Sequence, residues 1–339
     1  MKDKENRWGD AEMARQKFNI LAIGQAGRLE YEAIILATSL RLADPDFPGT
    51  LYIAEPQPGP RWASDPRMSK TGRALLEDLG AEVIGFDAEV FGDAYPNGNK
   101  IEALAALPDE PFLFLDTDTL ILGSFAGVKF DFNRPSASMK RENTWPAEEL
   151  YGPSVGETWQ GLYKEFGVPF EPTLDPDEPE GYWRRYMYFN AGWFFYKSPK
   201  QFGKRYLEWA KKVWHDRPEI ITCQQMDPWL DQAVLPLVIA SFGGGRPGPE
   251  LAGMDGDVTC HWRILPLMFA RESDKAVAMM QRVAEQNAVR NKLQKYGATR
   301  KMLYEGNGMK VRGLFDRNDL PRKEQAIRNR IRREGLWAR

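Results

Sequence analysis

The stretch that most constrains this chain is residues 112–122, FLFLDTDTLIL. Four apolar residues lead into Asp116-Thr117-Asp118, and a second apolar run follows. A short apolar run of this kind, entered from Pro108 and Pro111, predicts a strand buried on both faces. Asp116 and Asp118 then stand where the strand ends, at the carboxyl edge of a sheet, which is where open α/β sheets bind ligands. Carboxylates two residues apart repel unless a cation lies between them, and hard divalent ions take such oxygen ligands. That cation could in turn hold a diphosphate. The plain alternative is a turn whose aspartates cap a following helix.

The rest of the first half supplies the sheet. Residues 18–23 (FNILAI) predict a first strand, and Gly24-Gln25-Ala26-Gly27 a tight turn. A helix over 29–42 follows, ended by Asp44-Pro45 and Pro48-Gly49. Further strands are expected over 51–54 and 82–86, with helices over 68–79 and 99–107 between them and the DTD strand. Strands alternating with helices imply a mostly parallel sheet with right-handed crossovers.

Beyond residue 122 the alternation lapses. A strand is expected over 135–140, mixed helix over 147–166, and an exposed acidic, proline-rich loop, lid or linker, over 171–181 (EPTLDPDEPEG). Residues 186–197 (YMYFNAGWFFYK) predict a strand rich in aromatics. Helices over 199–214 and 229–240 come next, then His261 within 257–267, and helices from 272 onward. Between Arg322 and Arg339 seven Lys/Arg face two Glu, a solvated helix in the bland reading and an acidic membrane surface in the sharper one.

Composition narrows the setting. With 339 residues, 42% of them hydrophobic and 28% charged, the chain is an ordinary globular protein with room for a substantial core. A formal net charge of −2 gives no reason to expect nucleic acid. Cys223 and Cys260 are too few for a disulfide framework and read as two buried thiols in a reducing compartment. The charged lead-in 1–17 has no apolar core for a signal peptide, and no apolar run approaches a membrane span. The expected location is cytoplasmic, with peripheral contact at the inner face of the membrane through the basic tail.

Several separated pieces agree on a family. The chain resembles the nucleotide-diphospho-sugar transferases of the GT-A fold, and most nearly glycosyltransferase family 8, the glycogenin and lipopolysaccharide-galactosyltransferase type. The resemblance rests on FLFLDTDTLIL; on Asn99-Lys100-Ile101 at the family's interval before the first aspartate; on Phe189-Asn190-Ala191-Gly192 with Ser198-Pro199; on Asp231-Gln232; and on His261. It spans roughly residues 18–268 and implies a Rossmann-like, mostly parallel α/β sheet flanked by helices, with a C-terminal helical extension. The implied division is a nucleotide-sugar half over 18–134, an acceptor-side half over 135–270, and the extension with its basic tail over 271–339.

The chain departs from the family in two places. Leu29 falls where the family has a tyrosine stacked on uracil, with Tyr31 two residues on. After His261 the chain reads Trp262-Arg263-Ile264-Leu265-Pro266 where the family has a glycine and a lysine. Arg263 can replace that lysine on a phosphate, because its charge persists and its fork suits oxyanions. This marks a divergent member.

The resemblance assigns roles. Asp116, Asp118 and His261 are the candidate ligands of a divalent cation, Mn²⁺ or Mg²⁺, with an imidazole favouring manganese over calcium. The donor site takes Ile23, Gly24, Lys100, Asp116, Thr117, Asp118, Asn190, Ala191, Gly192 and Arg263. Asp231 and Gln232 are the catalytic candidates at the donor sugar, although either could also be a helix N-cap. Trp145, Trp183, Trp193, Trp229 and Trp262 lie on the acceptor side; large aromatics are mainly core or interface material, and no more than one or two are expected to meet a sugar. The implied reaction moves a sugar from a nucleotide diphosphate, a UDP-sugar first, to a glycan, lipid-linked or protein hydroxyl, with retention. Competing readings are a non-catalytic nucleotide-sugar or carbohydrate binder, and a haloacid-dehalogenase-type phosphatase. The latter wants Thr or Val where Leu120 stands.

Overall fold

A computed structural model describes residues 15–140 and 145–338 of the chain. Residues 1–14 of the polar lead-in lie outside the described residues. The parallel core is β1 (Asn19–Ile23), β2 (Leu51–Pro56), β3 (Ala81–Phe86) and β4 (Phe112–Leu115). Two short strands follow, β5 (Thr119–Ile121) and β6 (Trp193–Tyr196), and a last one, β7 (Thr259–His261). The main sheet has the order β3-β2-β1-β4-β6, with only β6 antiparallel. The helices of the first part are α1 (Arg28–Ala43), α2 (Lys70–Asp78), α3 (Asn99–Ala103), α4 (Val155–Glu165), α5 (Pro199–His215) and α6 (Leu230–Ser241). A short helix, α7 (Leu265–Arg271), precedes the helical stretch expected from 272 onward, which is α8 (Asp274–Glu285), α9 (Asn287–Leu293), α10 (Gly297–Thr299), α11 (Asn307–Gly313) and α12 (Glu324–Arg333).

Strand period sorts the core into two layers. Leu113 and Leu115 face a cluster under α1 that runs on into α7, α8 and α9. Phe112 and Phe114 face the opposite cluster, with Phe194 and the inner faces of α5 and α6. Phe114 and Phe194 stack with centroids 4.7 Å apart, and Phe202 of α5 closes the group from 5.5 Å. The helices begin where capping chemistry allows: Ser69 caps α2, Ser154 and Glu157 form a capping box on α4, and Ser198 caps α5 ahead of Pro199.

Four expectations are corrected. The DTD strand is not continuous: β4 ends at Leu115, and β5 leaves the sheet to pair antiparallel with β7. Residues 186–192 do not extend β6, because Ala191 takes φ 55° and Asn190 Oδ1 accepts from the Gly192 amide at 2.8 Å, a turn that breaks the ladder. Residues 135–140 make only one bridge, Ala137 to Phe194. Cys260 is buried as expected, but Cys223 is exposed.

The acidic loop 171–181 is tied down by arginines. Arg246 donates to the carbonyls of Thr173 and Arg185, and Arg185 donates to those of Asp175 and Glu178, the last at 2.8 Å. Among the described residues no helix is long and apolar enough to cross a membrane.

Candidate active site

Sheet register builds the site. β1 and β4 run parallel with Leu21 opposite Phe114, so Ile23 and Asp116 emerge at the same edge. β6 runs the other way, with Trp193 opposite Leu115, and its entry (residues 190–192) reaches that edge too. The Asp116 amide donates to the Gly192 carbonyl at 2.9 Å. The chain then turns through Thr117 and Asp118 into β5, whose Thr119 is paired with His261 of β7. The Trp262 amide extends that ladder to the Asp118 carbonyl at 2.9 Å. An imidazole 143 residues away in sequence is thereby fixed beside both aspartates.

His261 Nε2 lies 3.1 Å from Asp118 Oδ1 and 3.8 Å from Asp116 Oδ2. One ligand atom from each of Asp116, Asp118 and His261 falls within 4.8 Å of the others. The ring's other nitrogen faces Gly192, where an added Cβ would sit 2.4 Å from Nδ1. Glycine is required there for the imidazole to keep this position. Burial opposes charge on His261, but Asp118 and then Asp116 outweigh it and raise its pKa. Asp118, in turn, is pushed up by burial, yet His261 and Arg28 bring it below the ordinary carboxylate range.

Lys100, in the first turn of α3, is the most deeply buried basic side chain lining the cleft. Its Nζ lies 2.8 Å from Asp116 Oδ1, 3.3 Å from Asp231 Oδ2 and 3.3 Å from the Ala191 carbonyl, above the Phe114 ring. These three acceptors match the three N–H groups of the ammonium. Burial would depress its pKa, but Asp116 and next Asp231 raise it well above the usual lysine range. Asp231 sits inside the first turn of α6 and is not an N-cap, nor is Gln232; Trp229 holds that position without a side-chain bond. The Tyr95 hydroxyl donates to Asp231 Oδ1 at 2.7 Å, and Tyr206 donates to the Asp231 carbonyl at 2.6 Å. Burial, with Asp116 adding to it, leaves the Asp231 carboxyl raised despite Lys100 and Tyr95. Tyr188 donates to Gln232 Oε1.

These residues line two adjoining cavities that share Asn97, Lys100 and Asp116. The larger, about 730 Å³, is walled by Asp231, Gln232, Asn190, His261, Arg263, Lys140 and Trp229. The smaller, about 580 Å³, is walled by Ile23, Leu29, Pro96, Thr117, Asp118 and Arg28. Leu29 therefore does face the cleft, whereas Tyr31 turns away and stacks on Tyr296 at 4.6 Å.

Three of the expected donor residues contribute otherwise than by lining it. Gly24 makes room for Ile53 and Met68, Ala191 supplies the carbonyl on Lys100, and Gly192 supplies the space for His261. Arg263 lines the cleft with φ 65° and reaches Glu324 of α12 at 3.4 Å. Of the five tryptophans only Trp229 lines it; Trp145, Trp193 and Trp262 are core.

Sequence reasoning missed Arg28, Glu32, Tyr95, Asn97 and Lys140. Arg28 and Glu32 carried a signal, an i,i+4 charge pair in the first turn of a helix that enters the sheet edge. Glu32 is buried beneath Arg28, and burial, then the Asp118 charge, hold its carboxyl well above the ordinary range.

A family model described as a Rhodobacterales glycosyltransferase domain matches residues 20–243. No curated protein sequence matches the chain. Among solved structures, the galactosyltransferase LgtC in complex with donor and acceptor sugar analogs is similar at 13% identity, covering 91% of this chain and 100% of that one, with TM-score 0.39. An active-site mutant of LgtC shows 16% identity over 70% of this chain and 78% of that one, with TM-score 0.40. The apo glycosyltransferase GlyE of Streptococcus pneumoniae shows 12% identity over 69% and 46%, with TM-score 0.37.

Proposed function

The chain belongs to the Rhodobacterales glycosyltransferase domain family, and we propose that its cleft transfers a sugar from a nucleotide diphosphate, a UDP-sugar first, to an acceptor hydroxyl. The observation that carries this reading is the convergence of Asp116, Asp118 and His261 on one point beside the buried Lys100. Two carboxylates and an imidazole nitrogen within reach of one another suit a divalent cation, manganese or magnesium. When bound there, such an ion supplies Lewis-acid charge to a leaving diphosphate.

The chain's own groups do the remaining work. Lys100 presents a permanently charged ammonium at the junction of the two cavities, and Arg263 a second cation across the larger one. Both favour a state in which negative charge grows on the diphosphate. Asp231 is too enclosed to act as a free base: Tyr95 and Lys100 hold its oxygens, so its part is to fix Lys100 at the wall of the cleft. Gln232 and Asn190 line the same wall and can bond sugar hydroxyls. The acceptor enters past Trp229, whose ring suits a sugar face. Retention follows if the acceptor hydroxyl attacks on the side the diphosphate leaves, its proton passing to a phosphate oxygen.

The test is release of nucleoside diphosphate from a panel of nucleotide sugars with Mn²⁺, with and without EDTA. Asp118→Asn is expected to lower that release by at least about 100-fold, a loss on the scale of one strong transition-state contact. Its melting temperature is expected to stay close to wild type, because the amide keeps the side chain's shape. Near-normal turnover in this variant would defeat the metal-site assignment. Stabilisation by a nucleotide sugar with no release would mark a binding protein instead.

A further inference from the structure

Lys100 and Arg28 each stand over one carboxylate of the DTD turn, but they are held very differently. The Lys100 side chain is 8% exposed and has three acceptors, so it cannot leave Asp116 without stranding its charge. The Arg28 side chain is 42% exposed on the wall of the smaller cavity. Its Nη1 donates to Glu32 Oε1 at 2.8 Å and lies 3.8 Å from Asp118 Oδ2, beyond hydrogen-bond length. Glu32 is 4% exposed, and its Oε2 is buried without a hydrogen-bond partner. The carboxylate thus anchors the guanidinium at one end and leaves the rest of the fork facing the cleft.

We propose that Arg28 is a donor-binding residue that neutralises Asp118 in the empty site and turns onto the donor's diphosphate when a divalent cation takes Asp118. This rests on the transferase reading above. The physical reason is that a guanidinium keeps its charge at any working pH. A cation drawn to Asp118 therefore meets a like charge a few ångströms away. At such separations like charges still repel in a polarisable surface environment, although solvent around the half-exposed guanidinium weakens the effect. Arg28 and the metal compete for the same carboxylate. A diphosphate removes the conflict, because its oxygens accept the planar fork while Glu32 keeps its hold on Nη1.

The consequence is a pair of opposite changes in one variant. In nucleotide-free protein, Mn²⁺ affinity followed by electron paramagnetic resonance should rise roughly 3- to 10-fold in Arg28→Gln, since the competing charge is gone. With Mn²⁺ saturating, calorimetric affinity for UDP should fall about 10-fold, the worth of one charge-assisted contact. GDP and ADP are titrated alongside, and the tightest wild-type ligand is the one compared.

Arg28→Lys should restore wild-type Mn²⁺ affinity while recovering only part of the nucleotide affinity, because it keeps the charge and lacks the fork. Shifts of the same sign in Arg28→Gln, or no shift in either, would overturn the proposal. Should Arg28→Gln fail to fold, Arg28→Lys alone decides: full wild-type nucleotide affinity overturns the role. Wild-type protein that binds neither Mn²⁺ nor any of the three nucleotides would instead overturn the transferase reading.

Discussion

Lys100 is the residue whose removal should be felt furthest. It neutralises Asp116 and the 2%-exposed Asp231 at once, so a neutral replacement leaves a buried carboxylate with only Tyr95 for support. Lys100→Met, which keeps the aliphatic stem over Phe114, should cost about 3 kcal/mol in urea unfolding, the usual scale for breaking a buried pair from one side. Nucleoside diphosphate binding should weaken more than acceptor binding; equal losses would show that Lys100 only holds the fold. The contrast with Asp118 is instructive, since Asn there removes a charge that already has two cationic neighbours. Of these residues Asp116 and Asp118 were legible from the strand they end, and Lys100, Asp231 and His261 only through the family's spacing. Tyr95 and Tyr206 were not legible: what ties them to the cleft is a hydroxyl aimed at Asp231 across more than a hundred residues for one and twenty-five for the other, and no local pattern encodes that.

At the level of elements, the site depends on how tightly β6 and β7 approach. Gly192, just before β6, leaves the room: a Cβ there would sit 2.4 Å from Nδ1 of His261. Gly192→Ala should push His261 off the two aspartates and weaken Mn²⁺ binding at least about 10-fold, since a metal ligand moved by an ångström loses most of its contribution. The sheet itself should survive, because the Asp116 amide to Gly192 carbonyl bond is a backbone contact. Unchanged Mn²⁺ affinity would mean that His261 is not a ligand. Strands such as β1 and β4 were legible because each is a short, near-continuous apolar run, the mark of a strand buried on both faces of a parallel sheet. The break at residues 190–192 was not, because the aromatic residues on either side outweigh Asn190 and Gly192, two poor strand formers, and nothing in the sequence marks the left-handed Ala191 between them. β5 was hidden for a related reason: its three residues continue an apolar run, and what separates them from β4 is a turn stabilised by β7, far along the chain.

For the molecule as a whole, the decisive question is whether the C-terminal helices are a detachable unit. Residues 271–339 hold 18 Lys/Arg against 8 Asp/Glu, while residues 1–270 hold 28 against 40, so the two parts carry opposite charge, +10 and −12. That attraction is long-range and screened by salt, so it favours docking without fixing it. What fixes it is apolar: Val277, Met280, Val283, Val289 and Leu293 of α8 and α9 belong to the same cluster as Ile34, Leu36, Leu113 and Leu120. At its rim Lys292 of α9 pairs with the buried Glu30 of α1 and donates to Ser69 Oγ at 2.7 Å, the residue that caps α2. One side chain therefore ties three helices from both ends of the chain. Lys292→Met should lower stability by about 3 kcal/mol, because Glu30 is left buried with only the Ser69 amide and hydroxyl as partners. If the cluster is one cooperative unit, that loss moves the whole urea transition to lower denaturant with its slope unchanged. A variant that unfolds in two steps, losing the C-terminal helices first while the sheet stays folded, would show that the shared core does not couple them.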